Sequence, residues 1–314
     1  MCGIVGAINT PLQHTQQQQM MQAIRHRGPD DTGLWHDAAH SAFLGHQRLS
    51  IVDLSDSGKQ PMTNENKTIQ MVCNGEIYNF PALRQQLIQE GHFFSSHSDS
   101  EIIIHAYEKW GTECVNHLTG MFAFLLWDET KQRLFAARDR VGIKPLYYAE
   151  YNQGIVLASE AKAILPIMPT TLNPLAPAYI MTLGYVPSPL TMWHEISKLE
   201  AGCFLLWEPG NGITIHRYWS PPSRSSKYSH VNSDEWAVLF SQVLSDHLMA
   251  DVPISLFLSG GLDSTTLAVG LHELAQQIPA ITVRFPGNRY DESPIANEVS
   301  RKLKLPHQII NLTV

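Results

Sequence analysis

The pattern of apolar residues changes once along this chain, and that change most constrains what it can fold into. Residues 1–219 contain many short apolar runs broken by turns and a few helices, whereas residues 234–314 alternate helix, strand and helix. Between them, residues 220–226 read Ser-Pro-Pro-Ser-Arg-Ser-Ser, which is polar and without periodicity. A length of 314 residues is enough for two domains. We therefore expect an α+β domain over 1–219, a linker over 220–233 and an α/β domain over 234–314.

Charge and composition exclude several classes of partner. The net charge is −7 and only 16% of residues are charged, which argues against a nucleic-acid or anionic-membrane surface. The chain has neither a secretory signal pattern nor an apolar run of about 20 residues. Its four cysteines lie far apart and form no CxxC pair, so neither a zinc knuckle nor a disulfide framework is indicated. We expect a reduced, cytoplasmic protein.

The 15 histidines suggest metal binding only superficially. The pairs His36/His40 and His92/His97 have nearly suitable spacings, yet neither pair has an organised cysteine or carboxylate companion in the sequence. We do not predict a metal site at either pair.

Three segments of the first domain have clear secondary-structure patterns. Residues 121–127 form a continuous apolar run, typical of a strand buried on both faces. Residues 99–110 carry apolar side chains at helical spacing, and Ser98 with Glu101 has the spacing of a capping box. Residues 81–90 predict a second helix, with Leu83, Leu87 and Ile88 on its apolar stripe. Helices packed on stacked sheets are expected.

The second residue is a cysteine, in the segment Met1-Cys2-Gly3. Removal of Met1, which a small second residue permits, leaves one residue with both a thiol and a free α-amine. Their ordinary pKa values, about 8.5 and about 7.7–8.0, allow proton exchange near neutral pH. Cys2 is therefore a candidate nucleophile, although a small residue opening a buried strand is an equally good interpretation of this position alone.

Polar residues that interrupt apolar strands provide the parts of a site for an amino acid with a side-chain amide. Arg48 suits an α-carboxylate, and the carboxylates Glu76 and Asp99 suit an α-ammonium. Asn74 beside Gly75 suits an oxyanion hole. Asp99 is expected to stay ionised because the helix dipole favours an anion there. Taken alone, Asn74-Gly75 also fits a type I′ hairpin turn, and Arg48 a surface ion pair.

Several ordered motifs resemble the class II glutamine amidotransferases, and most closely the glutamine-hydrolysing asparagine synthetases. They are Met1-Cys2-Gly3-Ile4-Val5-Gly6, Arg25-His26-Arg27-Gly28-Pro29-Asp30, Arg48-Leu49-Ser50-Ile51-Val52-Asp53, Asn74-Gly75-Glu76-Ile77-Tyr78-Asn79 and the segments 120–124, 138–147 and 158–162. The resemblance implies an N-terminal nucleophile (Ntn) hydrolase fold, an αββα sandwich. It also implies Cys2 as the nucleophile and Asn74 and Gly75 as the oxyanion hole. The glutamine-binding residues it implies are Arg48, Leu49, Ser50, Ile51, Val52, Asn74, Gly75, Glu76 and Asp99.

A glycine-rich loop is the main feature of the second domain. The apolar residues 253–258 run into Ser259-Gly260-Gly261-Leu262-Asp263-Ser264, and a helix with Leu267, Leu271 and Leu274 on one face follows. Backbone N–H groups and serine hydroxyls at a helix start form an anion cradle. A plain glycine turn before a capped helix is the alternative. The loop lacks the GK[ST] ending of a Walker A motif and does not match GxGxxG.

This loop resembles the pyrophosphate loop of the ATP pyrophosphatases, whose domain is a doubly wound sheet of the adenine nucleotide alpha hydrolase type. The resemblance implies ATP binding, with Asp263 holding Mg²⁺ and Val283 directed towards the adenosine. The ATP-binding residues it implies are Leu258, Ser259, Gly260, Gly261, Leu262, Asp263, Ser264 and Val283.

Together the two resemblances imply that ammonia released from glutamine amidates an ATP-activated aspartate. The expected partners are glutamine, ATP and aspartate, with no nucleic acid and no membrane, and a homodimer is left open. The resemblance covers the synthetase domain only in its first part, so we expect this chain to retain only the glutaminase half. An amidotransferase with another acceptor and a non-catalytic regulatory or decayed protein are the alternatives.

Overall fold

The computed structural model of the protein describes residues 1–37, 41–222, 232–287 and 291–312. The chain divides into two compact units, Met1–Pro222 and Ser223–Val314. Most of the predicted linker, residues 223–231, lies outside the described residues, as does His40.

The first unit is built on two six-stranded sheets. Its strands are β1 (Gly3–Ile8), β2 (Asp31–His36), β3 (Ala42–Arg48), β4 (Met62–Thr63), β5 (Ile69–Ile77), β6 (Gly120–Asp128), β7 (Arg133–Arg138), β8 (Tyr147–Tyr151), β9 (Gly154–Ala158), β10 (Ser197–Lys198), β11 (Cys203–Glu208) and β12 (Gly212–Arg217). One sheet has the order β10-β8-β9-β1-β3-β2 and the other β12-β11-β7-β6-β5-β4. The pairings along both sheets are antiparallel.

The helices of this unit are α1 (His14–Ala23), α2 (Phe80–Gln89), α3 (Ile102–Trp110), α4 (Cys114–His117) and α5 (Ala176–Leu183). Helices α1 to α4 pack on the outer faces of the two sheets. One apolar cluster joins Ile4 and Leu44 of the first sheet to Val72 and Leu125 of the second, so it lies between the sheets. A second cluster packs α2, α3 and α4 on β5, β6 and β7, and a third packs α1 on β1, β3 and β9. This α-β-β-α layering confirms the predicted sandwich.

The predicted elements agree with the observed ones in position and differ in detail. The apolar run 121–127 lies within β6, and its residues from Phe122 onwards are buried, as expected for a strand between two layers. The helix predicted over 81–90 is α2, but Ile88 is exposed, so the predicted stripe is wrong at that position. The turn that opens the predicted helix 99–110 is a 3₁₀ turn over Asp99–Glu101, and α3 follows it.

The second unit is a small parallel α/β layer. Its elements are α6 (Ser233–Asp246), β13 (Leu256–Phe257), α7 (Leu262–Glu273), β14 (Ala280–Arg284), α8 (Ser293–Leu303) and β15 (His307–Asn311). The three strands pair in parallel in the order β13-β14-β15. The strand expected over 253–258 is only two residues long.

Several large apolar side chains of this unit are exposed. They include Phe257, Val283, Phe285, Ile309 and Ile310 on or beside the three strands. In an α/β sheet that is covered on both faces, such side chains are normally buried.

None of the helices in the described part of the chain is long and apolar enough to cross a membrane.

Candidate active site

A cavity of about 240 Å³ in the first unit brings the predicted glutamine-site residues together. It is lined by Cys2, Arg48, Leu49, Ile51, Val52, Asn74, Gly75, Glu76 and Asp99. Ser50 is not part of this wall, and its backbone N–H instead donates to the Asp30 carboxylate at 2.8 Å. Side chains that are far apart in sequence therefore converge on one space.

Cys2 lies directly before β1 and contacts the backbone of Leu49. The thiol Sγ donates to the Leu49 carbonyl at 3.5 Å, and the Leu49 N–H donates to Sγ at 3.4 Å. Burial raises the pKa of the Cys2 thiol, while the Leu49 backbone, the chain's terminal amine, Arg48 and Lys144 lower it. Met1 also lines the cavity, so in the unprocessed chain its side chain occupies part of the wall beside the nucleophile.

Asn74 and Gly75 lie inside β5, paired with Ala123 and Phe122 of β6. The alternative interpretation of these two residues as a hairpin turn is therefore wrong. A Cβ at Gly75 would lie 2.3 Å from the Met121 carbonyl oxygen, so only glycine allows this close pairing. Asn74 is buried, and its Nδ2 has no hydrogen-bond partner among the described residues. A buried donor left unpaired at a cavity wall is suited to bind an oxygen of a ligand.

Arg48 is buried at the end of β3 and is not a surface ion pair. Its guanidinium donates to the Ser55 carbonyl at 3.1 Å and to the Asp53 carbonyl. A Cβ at Gly58 would lie 2.3 Å from Arg48 Nη2, so glycine leaves the room this side chain needs. The loop backbone thereby fixes the guanidinium in the cavity wall, with donors left over for a carboxylate.

Asp53 organises the same loop. It has a positive φ of 54°, and its carboxylate accepts hydrogen bonds from Ser55 N, Ser55 Oγ, Ser57 Oγ and His97 N. Burial raises its pKa, but these donors outweigh burial and lower it below its ordinary value. The loop that holds Arg48 is therefore tied to the segment before Asp99.

Asp99 is almost fully buried, and its Oδ2 accepts from the Ile77 N–H at 2.7 Å. Burial raises its pKa to about 6, the Ile77 N–H lowers it, and the nearby Glu76 carboxylate raises it further. Burial outweighs the favourable first-turn position, so the pKa of Asp99 lies above its ordinary value, although the carboxyl keeps the charge expected of it at neutral pH. Asp99 is mostly ionised at neutral pH and becomes protonated near pH 6.

The wall also contains residues that were not among the predicted glutamine site, among them His46, Gln60 and Lys144. Burial lowers the pKa of His46 to about 3, so its imidazole is neutral, and its Nε2 has no hydrogen-bond partner among the described residues. The Gln60 side-chain oxygen accepts from the Cys73 N–H at 2.6 Å. Lys144 lies within the segment 138–147 quoted above and His46 lies just before Arg48, but periodicity alone does not distinguish a wall residue from a core residue.

The predicted capping box at the start of the 3₁₀ turn is not formed. Ser98 Oγ accepts from the Ser100 N–H at 3.3 Å, whereas Glu101 accepts from the backbone and hydroxyl groups of Ser95 and Ser96. Burial raises the pKa of Glu101, but His105 and these donors outweigh burial and lower it to about 2. Glu101 therefore ties the segment before Asp99 to α3.

One histidine cluster lies outside the cavity. His92, His105 and Glu108 place their ligand atoms within 4.8 Å of one another, so the partner of His92 is His105 and not His97. Burial lowers the pKa of His105, but Glu101 and Glu108 outweigh it and raise the pKa to about 9. A charged imidazole between two carboxylates accounts for these contacts without a metal ion.

The predicted nucleotide loop of the second unit forms a glycine turn at the start of α7. Ser264 Oγ lies 2.9 Å from Ser259 Oγ and accepts from the Ser259 N–H at 3.1 Å. The Gly261 N–H donates to Ser259 Oγ at 3.1 Å, and the Gly260 N–H donates to a Glu292 carboxylate oxygen at 3.1 Å. A glycine N–H of this turn therefore already donates to a carboxylate oxygen. A phosphate oxygen could accept the same hydrogen bond, which fits a phosphate cradle.

The other predicted ATP-binding residues differ in how accessible they are to a ligand. Leu258 is buried in the apolar core of this unit, so only its backbone is available, whereas Leu262 is 81% exposed. Val283 lies in β14 and is partly exposed. Asp263 lies in the first turn of α7, and among the described residues it belongs to no group of three metal-ligand side chains.

Comparison with known proteins gives the same division of the chain. Residues 1–219 match the glutamine amidotransferase domain and residues 235–314 match asparagine synthase. Asparagine synthetase [glutamine-hydrolyzing] 3 of Bacillus subtilis is 37% identical over 90% of this chain and 47% of its own length. Asparagine synthetase [glutamine-hydrolyzing] 1 of the same organism is 35% identical over 96% of this chain and 49% of its own length. The chain spans about half the length of these two relatives.

A solved structure shares the fold. Glutamine phosphoribosylpyrophosphate amidotransferase from B. subtilis aligns with a TM-score of 0.54 at 18% identity, covering 98% of this chain and 65% of that one. The domain match and the sandwich place the first unit among the class II glutamine amidotransferases of the Ntn type. The chain therefore belongs to the glutamine amidotransferase family, and its second unit is similar to the asparagine synthase part of these relatives.

Proposed function

We propose that the first unit hydrolyses glutamine to glutamate and ammonia at Cys2. The observation that carries this proposal is the convergence of a thiol, an unpaired amide donor at Asn74, a fixed guanidinium at Arg48 and two carboxylates on one cavity. Arg48 binds the α-carboxylate of glutamine, and Glu76 with Asp99 binds its α-ammonium. The side-chain amide then lies at Cys2.

The reaction follows from these positions. After Met1 is removed, the α-amine of Cys2 takes the thiol proton, and Sγ bonds to the amide carbon. Asn74 Nδ2 and the Gly75 backbone N–H stabilise the oxyanion of the tetrahedral intermediate. The C–N bond breaks, the leaving nitrogen takes the proton and departs as ammonia, and a thioester remains. Water then attacks the thioester carbon, which releases glutamate and returns the proton to Sγ.

For the second unit we propose ATP binding at the turn 259–264, with Asp263 as a ligand of Mg²⁺ and Val283 beside the adenosine. The glycine N–H groups, the serine hydroxyls and the start of α7 are suited to hold phosphate oxygens. In a protein with the full length of the matched relatives, bound ATP activates aspartate. The ammonia released from glutamine then amidates the activated aspartate and forms asparagine. We also propose a reduced, cytoplasmic compartment, which fits the free thiols of the described residues. A homodimer is proposed as the assembly.

A polypeptide of these 314 residues is expected to release ammonia from glutamine without forming asparagine. The three-stranded sheet of the second unit supports this, because a doubly wound nucleotide domain is normally larger. Formation of asparagine and pyrophosphate from glutamine, aspartate and ATP by the purified chain would contradict it.

The glutaminase proposal is tested at Cys2. We expect Cys2→Ala to lower the rate of glutamate release by at least about 10³-fold, since no other group replaces the nucleophile. Cys203→Ala, which removes a buried thiol outside the cavity wall, is the matched control and should keep its activity. Mass spectrometry of the intact chain establishes whether Met1 has been removed. An active Cys2→Ala protein would refute the assignment.

A further inference from the structure

Two buried side-chain nitrogens in the wall of the glutamine cavity have no hydrogen-bond partner among the described residues: Asn74 Nδ2 and His46 Nε2. Asn74 Nδ2 is an amide donor, and the proposed oxyanion hole gives it a partner. His46 is only 1% exposed, so its imidazole is removed from water as completely as Asn74. A buried polar atom without a partner costs free energy, and the proposed reaction gives His46 Nε2 no partner.

Strand alternation places His46 on the side of its sheet that faces the second sheet. Ala42 and Leu44 of β3 belong to the apolar cluster between the sheets, and His46 is the next residue of that alternating set. In β5, Val72 belongs to the same cluster and Asn74 follows it at the same spacing. The two unpartnered nitrogens therefore belong to facing surfaces of the two sheets.

The pairing of β1 with β3 also places His46 near the nucleophile. Ile4 is directly opposite His46 in this antiparallel pair, and Gly3 is opposite Gln47. Cys2 precedes Ile4 by two residues, so it is diagonal to His46, which in this strand geometry corresponds to about 7–8 Å between the backbones. Both residues line the same cavity. A substrate amide bound at Cys2 is therefore within reach of the imidazole.

The protonation state of His46 leaves Nε2 with a free lone pair. Burial lowers the pKa of the imidazole to about 3, while a hydrogen bond with the Cys73 backbone raises it. The ring is therefore neutral at physiological pH and carries one N–H. A backbone hydrogen bond raises a histidine pKa when the ring donates, and Nε2 has no partner, so the N–H is on Nδ1 and donates to the Cys73 carbonyl. Nε2 is then an acceptor.

We propose that His46 Nε2 accepts a hydrogen bond from the side-chain NH₂ group of glutamine and thereby selects the amide over a carboxylate. The inference rests on the proposed function of the cavity. A primary amide has an acceptor oxygen and a donor nitrogen, and Asn74 Nδ2 and His46 Nε2 supply the complementary donor and acceptor. The side-chain carboxylate of glutamate has only acceptors, so its second oxygen would face the imidazole lone pair without a hydrogen bond.

Other acceptors of the cavity wall already accept hydrogen bonds from the protein. The Leu49 carbonyl accepts from the Cys2 thiol at 3.5 Å, and the Gln60 side-chain oxygen accepts from the Cys73 N–H at 2.6 Å. An incoming NH₂ group would compete with these bonds. At His46 Nε2 it displaces no hydrogen bond of the described residues.

Equilibrium binding to a chain that cannot turn over glutamine tests the proposal. Glutamine and glutamate are titrated calorimetrically into the full chain carrying Cys2→Ala, with removal of Met1 checked by mass spectrometry. The ratio of the two dissociation constants measures the preference for the amide. In this background we expect His46→Asn and His46→Leu to reduce the preference about tenfold, as expected for one lost hydrogen bond and one relieved unfavourable contact. His46→Asn keeps a donor near Nδ1 for Cys73, so its loss is confined to the acceptor.

His46→Gln is the conservative variant, because its side-chain oxygen can take the position of Nε2. It should keep the preference for glutamine within about threefold of the chain with His46. His216→Asn, in β12 and outside the cavity wall, is the matched control and should leave the preference unchanged. Thermal unfolding shows whether each variant is folded, and the two replacements that remove the acceptor guard against misfolding of one of them.

An unchanged preference for glutamine in a folded His46→Asn or His46→Leu chain overturns the proposal. So does an equal loss of affinity for glutamine and glutamate, because that pattern indicates a structural role of the imidazole. If the Cys2→Ala chain with His46 intact fails to bind glutamine, the glutaminase proposal fails and this inference fails with it. The two failures are therefore distinguishable in one set of titrations.

Discussion

The cavity of the first unit and the glycine turn of the second are both suited to bind anionic or polar ligands, but they are organised differently. At the cavity, three side chains are held by groups distant in sequence: Cys2 by Leu49, Asp99 by Ile77, and Asp53 by His97. In the turn 259–264, most bonds join residues within five positions of one another. A site held by tertiary contacts uses individual side chains, whereas a local turn offers many equivalent backbone groups. Single replacements should therefore have large effects in the cavity and small ones in the turn.

The largest expected effect in this comparison is at the unpaired amide of the cavity. Asn74→Ala should lower kcat for glutamine hydrolysis by about 10²–10³-fold with little change in KM, because the lost donor binds the oxyanion and not the ground state. Steady-state glutamate release measures both constants. Asn211→Ala, at an exposed turn beside Glu208, is the control and should behave like the parent chain. A loss confined to KM would contradict the oxyanion role.

A smaller effect is expected from acid, through Asp99. Its carboxyl has a pKa of about 6 in the folded chain, so lowering the pH through 6 protonates it and removes its attraction for the α-ammonium of glutamine. We expect KM for glutamine to rise as the pH falls below about 6, by up to about tenfold per unit. KM measured from pH 8 to pH 5 tests this.

Asp99→Asn is the comparison for that pH series. It should have a raised KM at neutral pH and lose the rise near pH 6, while any dependence due to other groups remains. A variant whose KM still rises near pH 6 would assign the titration to another group.

The smallest effect is expected in the glycine turn. Ser264→Ala removes a hydroxyl bonded to Ser259 and Gly261, and we expect it to weaken ATP binding by about fivefold, corresponding to about 1 kcal/mol for one hydrogen bond. Glutaminase activity should not change. Calorimetric titration with ATP and Mg²⁺ measures the affinity, and Ser245→Ala, in α6 outside the turn, is the control. If Ser264→Ala weakened ATP binding by about 10²-fold or more, the expected difference between large effects in the cavity and small effects in the turn would be wrong.

The sequence predicted best those elements whose apolar pattern is determined by burial. The strand β6 follows from an uninterrupted apolar run, and α2 from Pro81 and its apolar spacing. Ile88 fits the same spacing, but its side chain is exposed. The pattern indicates which face can be buried but not how far the neighbouring layer extends.

The site was predictable in its residues but not in its electrostatics. The motifs named residues that meet in one cavity, except Ser50, but did not name His46 or Gln60, and pattern alone left Asn74-Gly75 as either an oxyanion hole or a hairpin turn. The raised pKa of Asp99 could not be predicted, because a first-turn position is visible in the sequence and burial by other strands is not. Likewise, Ser98 and Glu101 have capping-box spacing, but Ser95 and Ser96 compete successfully for the carboxylate.

Gly75 combines two requirements at one position. Its missing Cβ allows β5 to pair closely with β6, where the Met121 carbonyl would otherwise be only 2.3 Å away, and its backbone N–H belongs to the proposed oxyanion hole. Substitution here damages the sheet and the site together, so selection acts on stability and catalysis at once. Inactive but folded descendants of this chain should therefore arise through Cys2 or Asn74, and glycine at position 75 should persist even in a lineage that has lost the activity.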